Sequence, residues 1–590
     1  MMPNDKNIAL FRKPASHEMI PATLPPGRSL TRESLDPWPM KNLYSHLVAV
    51  VALSTLLLGY GIQRASVGTA YSDPVAKIRA QDEAVYANMS LRVATTGGWL
   101  TPRVLGRYLF SKPPLLTWLV ALSLKTLGTS LFALRLPDLA AAVLCTTILF
   151  WLASLARSLI AGWAAVALLL SNSLWHIFAR LCYTDMLLVA GMAGALAIVY
   201  RDPLLARRQS LFGFALCCAA GVMVKNAAGL LPVCVLVLYL ALVDRTRRPS
   251  AGRIALAVAI CAALVAPWHV YQFLVHRQWF WADYVQMQLL GFGFDPPAQT
   301  SAESQIGFYA KRLMLADPAL CILLAAAVPF LVRDLRRRTE TMPALVFAWL
   351  AVTAGALLVF RYRNLPYALY VIPPACLAAS VYGPMFSPRW AKVSLAALCL
   401  IVGLKFYQQR QPWGISWGSS QPLPAVATLR SYYDLARPNE LILVDSDDDF
   451  YAMALPLPRI RFYFLDPRNL ATKYSPHYAT LGITLTADEF DDLGQLEPEY
   501  EARLREWGLN SNEPIGTAIV GLSWDALPRL VRAHRDADYY VSDRDWRLLE
   551  RETQIDRTHI AMKAANDREL LLARYPPGSN THFQPLPKTW

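Results

Sequence analysis

Asp82 and Glu83 stand side by side in RAQDEAVYANMS (79–90), with Tyr86 about one helical turn further on. Lys112 follows in FSKPPLL, Asp185 in CYTDMLL, Lys225 in VMVKNAAG, and Arg361 and Arg363 in FRYRN. A carboxylate can take the proton from an attacking hydroxyl. Ammonium and guanidinium groups can neutralise a phosphate and the charge that develops on it as it leaves. On helical spacing Ile78, Asp82, Val85, Met89 and Val93 share one stripe, so Asp82 occupies a slot where the pattern asks for an apolar residue. A carboxylate buried there is costly unless something uses it. Each group also has a plainer reading. The acidic pair could bond Lys77 or Arg79 on a helix surface. Lys112 could snorkel to headgroups, Asp185 could pair with Arg180, and Lys225 could be a topological anchor.

The elements that must position these groups are membrane helices. Of the 590 residues 55% are hydrophobic and only 17% charged, which is too apolar for a soluble chain of this size. The net charge of +14 would suggest nucleic acid in a soluble protein; here it is better assigned to loops beside a membrane. The first 42 residues are Pro-rich with mixed charge and read as a disordered cytoplasmic N-terminus. The apolar run 47–62 reads as a retained anchor, lacking a small-residue cleavage site. Further runs follow near 136–156, 159–177, 184–200, 210–224, 227–243, 254–273, 317–332, 343–360, 365–384 and 392–408. The fold class is therefore a polytopic α-helical membrane protein of about eleven to thirteen transmembrane helices. Segment 113–128 either crosses or lies along the interface.

Charge gives the topology. Arg157, Arg201 with Arg207 and Arg208, Arg245 to Arg253, Arg333 to Arg338, and Arg389 with Lys392 fall in alternate connections, which should be cytoplasmic. The parity works if 113–128 does not cross. The outer side then receives loop 63–135, the short turns at 178–184, 225–226 and 361–364, and loop 274–316. All the chemistry-bearing groups above fall on that side. Lys225, Arg361 and Arg363 lie there against the usual charge bias, which invites an anionic ligand as the reason.

Residues 410–590 read as a soluble α/β domain on the outer side. Buried strands are expected at LILVD (441–445), RFYFL (461–465), TAIVG (517–521) and YYVS (539–542), with helices at 487–507 and 524–534. The acids Asp445, Asp447, Asp448 and Asp449 suit a solvated turn better than a cation site, since their spacing is not that of an EF-hand. The nine cysteines all lie in apolar segments, without a CxxC pair or zinc spacing. No metal ligand set is assigned and no cofactor is required by the motifs; a divalent cation stays open.

The stretch AQDEAVYANMSLRVATTGGWLTPRVLGRYLFSKPPLLTWLVALSLKTLG resembles the N-terminal signature of bacterial GT-C glycosyltransferases. These include the lipid A aminoarabinose transferases and the wider dolichyl-phosphate-mannose protein mannosyltransferase-like family. The shared pattern is carried by Asp82-Glu83 with Tyr86, Trp99-Leu100-Thr101-Pro102-Arg103, Phe110-Ser111-Lys112-Pro113-Pro114-Leu115 and Arg135-Leu136-Pro137. The resemblance is detailed over 80–140 and looser to about 410. It implies a catalytic domain over 43–409 that takes a sugar from a polyprenyl-phosphate carrier and places it on a lipid A-type lipid, a protein or a glycan. The reaction would be an inverting displacement at the periplasmic face of the bacterial inner membrane. Asp82 would be the general base, Glu83 and Asp185 the other catalytic acids. Tyr86, Arg103, Lys112, Lys225, Arg361 and Arg363 would bind substrate. Ser111 stands where the family has Glu, KNAAG (225–229) where it has a Lys-Gly-Pro-like turn, and LPYALYVIPP (365–374) is out of register with its Leu-Pro-x-Tyr run. The competing reading is a lipid or solute transporter, whose polar groups should lie near mid-span. Neither reading involves nucleic acid.

Overall fold

The computed structural model describes residues 37–63, 82–104, 107–294, 303–337, 340–386 and 389–408, with six short strands between 441 and 572. Residues 1–44 and 45–590 form two units; of the first, only the start of helix α1 (Pro37–Gly59) is described.

The first outer stretch is not a plain loop. It carries α2 (Asp82–Thr96), a two-stranded hairpin of β1 (Arg103–Val104) and β2 (Arg107–Tyr108), and α3 (Leu115–Leu127). The bundle continues through α4 (Leu131–Ala156), α5 (Leu159–Ser171), α6 (Ser173–Phe178), α7 (Thr184–Arg201), α8 (Arg208–Lys225), α9 (Leu231–Leu242) and α10 (Ala251–Phe280). After α10 come a wide-turn π-helical segment, Trp281–Gly291, and the one-turn α11 (Phe292–Phe294). Then follow α12 (Gln305–Ala316), α13 (Pro318–Arg336), α14 (Thr341–Val359), α15 (Ile372–Tyr382) and α16 (Ala391–Gln408). Loop 274–316 expected from sequence is thus largely helical.

Local chemistry sets the breaks. Ser130, Ser158 and Asn172 each accept a backbone N–H from the first turn of the helix they precede. Pro366, Pro373 and Pro374 divide the apolar run 365–384 into a 3-10 turn, Leu365–Tyr370, and α15, instead of one even helix. Seven helical segments are long and apolar enough to cross a membrane, and Leu43–Gly59, Leu115–Leu127 and Leu159–Ser171 are shorter apolar helices. One of the seven, Arg208–Leu242, is a hairpin of α8 and α9, which is part of why seven falls below the sequence count. At its tip Gly229 lies against α8 so closely that a Cβ there would sit 1.9 Å from the Val222 nitrogen. Asn226 opens the turn with φ +53°, a left-handed backbone that Asn tolerates.

Leu and Val side chains on α8, α9, α10 and α16 stay open, among them Leu216, Val237, Leu264, Val270 and Leu400. A contiguous apolar surface of this kind belongs in lipid. The arginine-bearing ends meet one another. Arg157 bonds the Val381 carbonyl, Arg247 the Thr341 hydroxyl, and Arg253 the Leu205 carbonyl. The opposite end gathers Asp185, Lys225 and Tyr370. Helix α3, with 13 residues and about 20 Å of rise, falls short of a ~30 Å hydrocarbon core. It packs between α2 and α4, where the Ser123 hydroxyl donates to the Ala133 carbonyl at 2.6 Å. That placement suits a helix that does not cross.

In the C-terminal part, β3 (Leu441–Val444), β4 (Phe462–Leu465), β5 (Val520–Leu522), β6 (Asp538–Ser542), β7 (Ile560–Lys563) and β8 (Glu569–Leu572) form one sheet in the order β5-β4-β3-β6-β8-β7. The first four are parallel, and β8 and β7 join antiparallel. The helices expected at 487–507 and 524–534, and the acids Asp445 to Asp449, lie outside the described residues.

Candidate active site

The two residues of the acidic pair part company. Asp82 is the first residue of α2 and its side chain is exposed, whereas Glu83 is fully buried. A one-residue step turns a side chain by about 100° around a helix, so only one of them can face the bundle. The stripe argument thus misplaced the burial by one position. Glu83 is gripped by Arg135 of α4, Nε to Oε1 at 2.8 Å and Nη2 to Oε2 at 3.2 Å. The Cys182 backbone N–H donates to the same Oε1 at 3.2 Å, and Arg135 also donates to the Ile62 carbonyl at 2.8 Å. This fork ties α2 and α4 to the turn that precedes α7.

Asp82 nonetheless faces the predicted group. Its charge bears on Tyr86, Lys112, Tyr362 and Tyr367. Tyr86 is buried one turn into α2; its burial, and then the charges of Asp82 and Asp185, hold its hydroxyl well above the usual range. Burial first and Asp82 second raise the Tyr362 hydroxyl likewise.

Asp185 opens α7 and is itself clasped. Lys225, the last residue of α8, donates to its Oδ1 at 2.5 Å, and the Tyr370 hydroxyl donates to the same oxygen at 2.6 Å. The Lys225 ammonium also stands 4.5 Å above the centre of the Tyr367 ring, a cation–π contact. Tyr367 and Tyr370 were missed by sequence reading because the Leu-Pro-x-Tyr register failed there. The 3-10 turn Leu365–Tyr370 carries both, and only the fold shows that it brings them to Lys225 and Asp185.

Lys112 enters from the loop before α3, where Pro113 and Pro114 stiffen the chain. Its Nζ donates to the Ser111 carbonyl at 3.1 Å and to Gln288 Oε1 at 2.9 Å. Loss of solvent contact, then the neighbouring Lys225 charge, lower the Lys112 pKa to about 8, against the opposing pull of Asp82, Asp283 and Asp185. Asp283, buried and accepting the Phe110 N–H at 2.9 Å, is raised by burial to about 6. Neither Asp283 nor Gln288 was singled out from sequence; both lie in a stretch read as loop.

The two outer arginines flank Tyr362, on which the charge of Asp82 bears. Arg361 is exposed, its backbone N–H on the Gly293 carbonyl. Arg363 bonds the Glu303 carbonyl and borders Phe308 and Tyr309. Burial first raises the Tyr309 hydroxyl to about 12, and the charge of Asp185 adds to that shift. Arg103 lies on β1, paired with Tyr108. Among the described residues no group of three or more His, Cys, Asp or Glu is placed to hold a metal ion.

The arrangement therefore offers one solvent-open carboxylate, two ammonium groups within each other's field, and a wall of tyrosines. A site of this composition can hold a phosphate ester and accept a proton beside it. Residues 111–271 match the family model of dolichyl-phosphate-mannose-protein mannosyltransferases. An undecaprenyl phosphate-alpha-4-amino-4-deoxy-L-arabinose arabinosyl transferase of Aeromonas salmonicida is 28% identical over 216 residues, 35% of this chain and 39% of that protein. The corresponding transferase 1 of Sodalis glossinidius is 24% identical over 341 residues, 55% of this chain and 60% of that one. The chain thus matches less than two thirds of the length of these relatives. The crystal structure of ArnT from Cupriavidus metallidurans bound to undecaprenyl phosphate superposes with a TM-score of 0.62 over 91% of this chain and 99% of that one, at 16% sequence identity. The fold is that of the ArnT crystal structures, a polytopic helical membrane fold, and the family-model match covers part of the chain. Over these parts the chain is similar to the undecaprenyl phosphate-aminoarabinose arabinosyl transferases.

Proposed function

We propose that the chain transfers a sugar, by the likeness an amino-pentose, from a polyprenyl-phosphate carrier to a lipid A-type acceptor. The supporting observation is the convergence of Asp82, Lys112, Asp185 and Lys225 at one end of the bundle, expressed in the shared field on Lys112. The carrier phosphate lies between Lys112 and Lys225, with Arg361 and Arg363 adding positive potential from the rim. Asp82 takes the proton of the acceptor hydroxyl as its oxygen attacks the anomeric carbon. The bond from that carbon to the phosphate oxygen breaks on the far face, and the polyprenyl phosphate leaves with the bonding electrons, so configuration inverts. Glu83 acts through Arg135 to fix α2, and Asp185 with Tyr370 aims Lys225 at the phosphate. Both carboxylates act in this reading as positioning groups, whereas the sequence resemblance grouped them with Asp82 as catalytic acids. A protein or glycan acceptor remains an outcome of the test.

The site end faces the periplasm in this reading, because the opposite end carries the arginine clusters. The protein resides in the bacterial inner membrane, with 43–409 as catalytic domain and 410–590 as a periplasmic α/β domain built on the six-stranded sheet. The polar groups cluster at span ends, which favours an enzyme over a transporter. Mass spectrometry of envelope lipids with and without the gene product tests the reading directly. An amino-pentose mass increment on lipid A that appears only with the protein is expected. Purified protein that moves the carrier across liposomes without altering it would favour the transporter.

A pH dependence follows. Lys112 is charged below about 8 and neutral above it, and a bound anion favours the charged form. Affinity for undecaprenyl phosphate is expected to hold from pH 6.5 to 7.5 and to fall on the order of tenfold per pH unit above about 8. Titration of binding by fluorescence or calorimetry checks this, and a flat profile from pH 7 to 9.5 would contradict it.

A further inference from the structure

The loop that delivers Lys112 is held from one side by the outward extension of α10. Within α10, Trp268 and Gln272 donate to the Leu100 carbonyl at 2.8 and 2.7 Å. The chain then kinks at Arg277, whose φ of +46° is left-handed, and re-aims the following residues. The segment Trp281–Gly291 winds as a π-helix, in which positions five apart come to one face. In an ordinary α-helix such positions would diverge by about 140°. Asp283 and Gln288 are five apart, and both touch the loop: Asp283 Oδ2 accepts the Phe110 N–H at 2.9 Å, and Gln288 Oε1 accepts from Lys112 Nζ at 2.9 Å. Such wide turns are rare in helices and are frequent at functional sites.

We propose that Asp283 and Gln288 are positioning residues for Lys112: Asp283 fixes the backbone of its loop, and Gln288 holds the ammonium in place until a phosphate oxygen takes over that hydrogen bond. This rests on the reading that Lys112 receives the carrier phosphate. A neutral amide suits the handover, because it orients the ammonium without cancelling its charge, whereas a carboxylate would compete with the anion. The charged groups that face Lys112 are Lys225, Asp82, Asp283 and Asp185, so a carboxylate added at 288 would join three others and oppose an incoming anion further.

The test is binding of undecaprenyl phosphate to the full-length protein in nanodiscs across pH 6.5–9.5, with KM and kcat for transfer. Gln288→Glu is expected to weaken binding at pH 7 about tenfold and to move the alkaline limb upward by about one pH unit, since a carboxylate beside Lys112 favours its charged form. Gln288→Ala is expected to raise KM several-fold with kcat within about twofold. Asp283→Asn, which keeps an acceptor for Phe110, should retain what Asp283→Ala loses. A Gln288→Glu protein with wild-type affinity and an unmoved alkaline limb would overturn the inference, while Lys112→Ala still abolishing binding would leave the broader reading standing. Should Lys112→Ala bind as well as wild type, that reading falls and this inference falls with it.

Discussion

Asp82→Asn is expected to lower sugar transfer by about 10²–10⁴-fold, the range general-base catalysis contributes, while leaving carrier binding within a few-fold. Asn keeps the shape and the hydrogen-bonding oxygen at the start of α2 but cannot accept the proton. Asp82 is exposed at the first position of α2, and Asn is nearly isosteric with it, so the variant should fold and unfold as wild type does. Its neighbours make the choice specific. Glu83, one residue on, is committed to Arg135, and Asp185 is committed to Lys225 and Tyr370. A carboxylate whose oxygens already accept such donors has no oxygen presented to an acceptor hydroxyl. Single-turnover assays on purified protein separate the chemical step from binding, and full activity of a folded Asp82→Asn protein would remove the base assignment.

The second large effect concerns stability. Glu83→Ala is expected to destabilise the protein by about 3–5 kcal/mol, because Arg135 would keep its charge at 1% exposure with the carboxylate gone. The double variant Glu83→Ala with Arg135→Met should recover much of that loss, since no buried charge is left unpaired. Glu83→Gln should fall between, as the amide oxygen can still accept one N–H from the guanidinium fork. Thermal unfolding in detergent, with carrier binding of the surviving fraction, measures both. Equal stability of Glu83→Ala and wild type would mean that the pair does not hold α2 in place.

Much of this was legible in the residues. Apolar run lengths gave the helical bundle, because crossing a membrane leaves few other ways to satisfy the backbone. The convergence of Lys112, Asp185 and Lys225 was readable because all three fall at span ends of one parity. Three things were not. Which of Asp82 and Glu83 is buried depends on the rotation of α2, and the stripe was counted from Ile78, before α2 begins at Asp82. Tyr367 and Tyr370 sit in a 3-10 turn, and Asp283 and Gln288 in a π-helical one, and neither obeys the 3.6-residue period that a sequence stripe assumes. Segment 113–128 has the hydropathy of a span, and only its packing between α2 and α4 separates the alternatives. Ser111 in the place of the family's Glu was visible, but what supports the Lys112 loop instead came from residues about 170 positions away in the chain.

The central claim is that a lipid phosphate is held between Lys112 and Lys225 at the end of the bundle away from the arginine clusters. A structure of the protein with undecaprenyl phosphate bound tests it most directly. The account predicts phosphate density within hydrogen-bond distance of both ammonium groups, with the Gln288 contact to Lys112 released and Asp82 open to the space beside the phosphate. Phosphate density at the Arg157 and Arg247 end, or out of reach of Lys112 and Lys225, would contradict it.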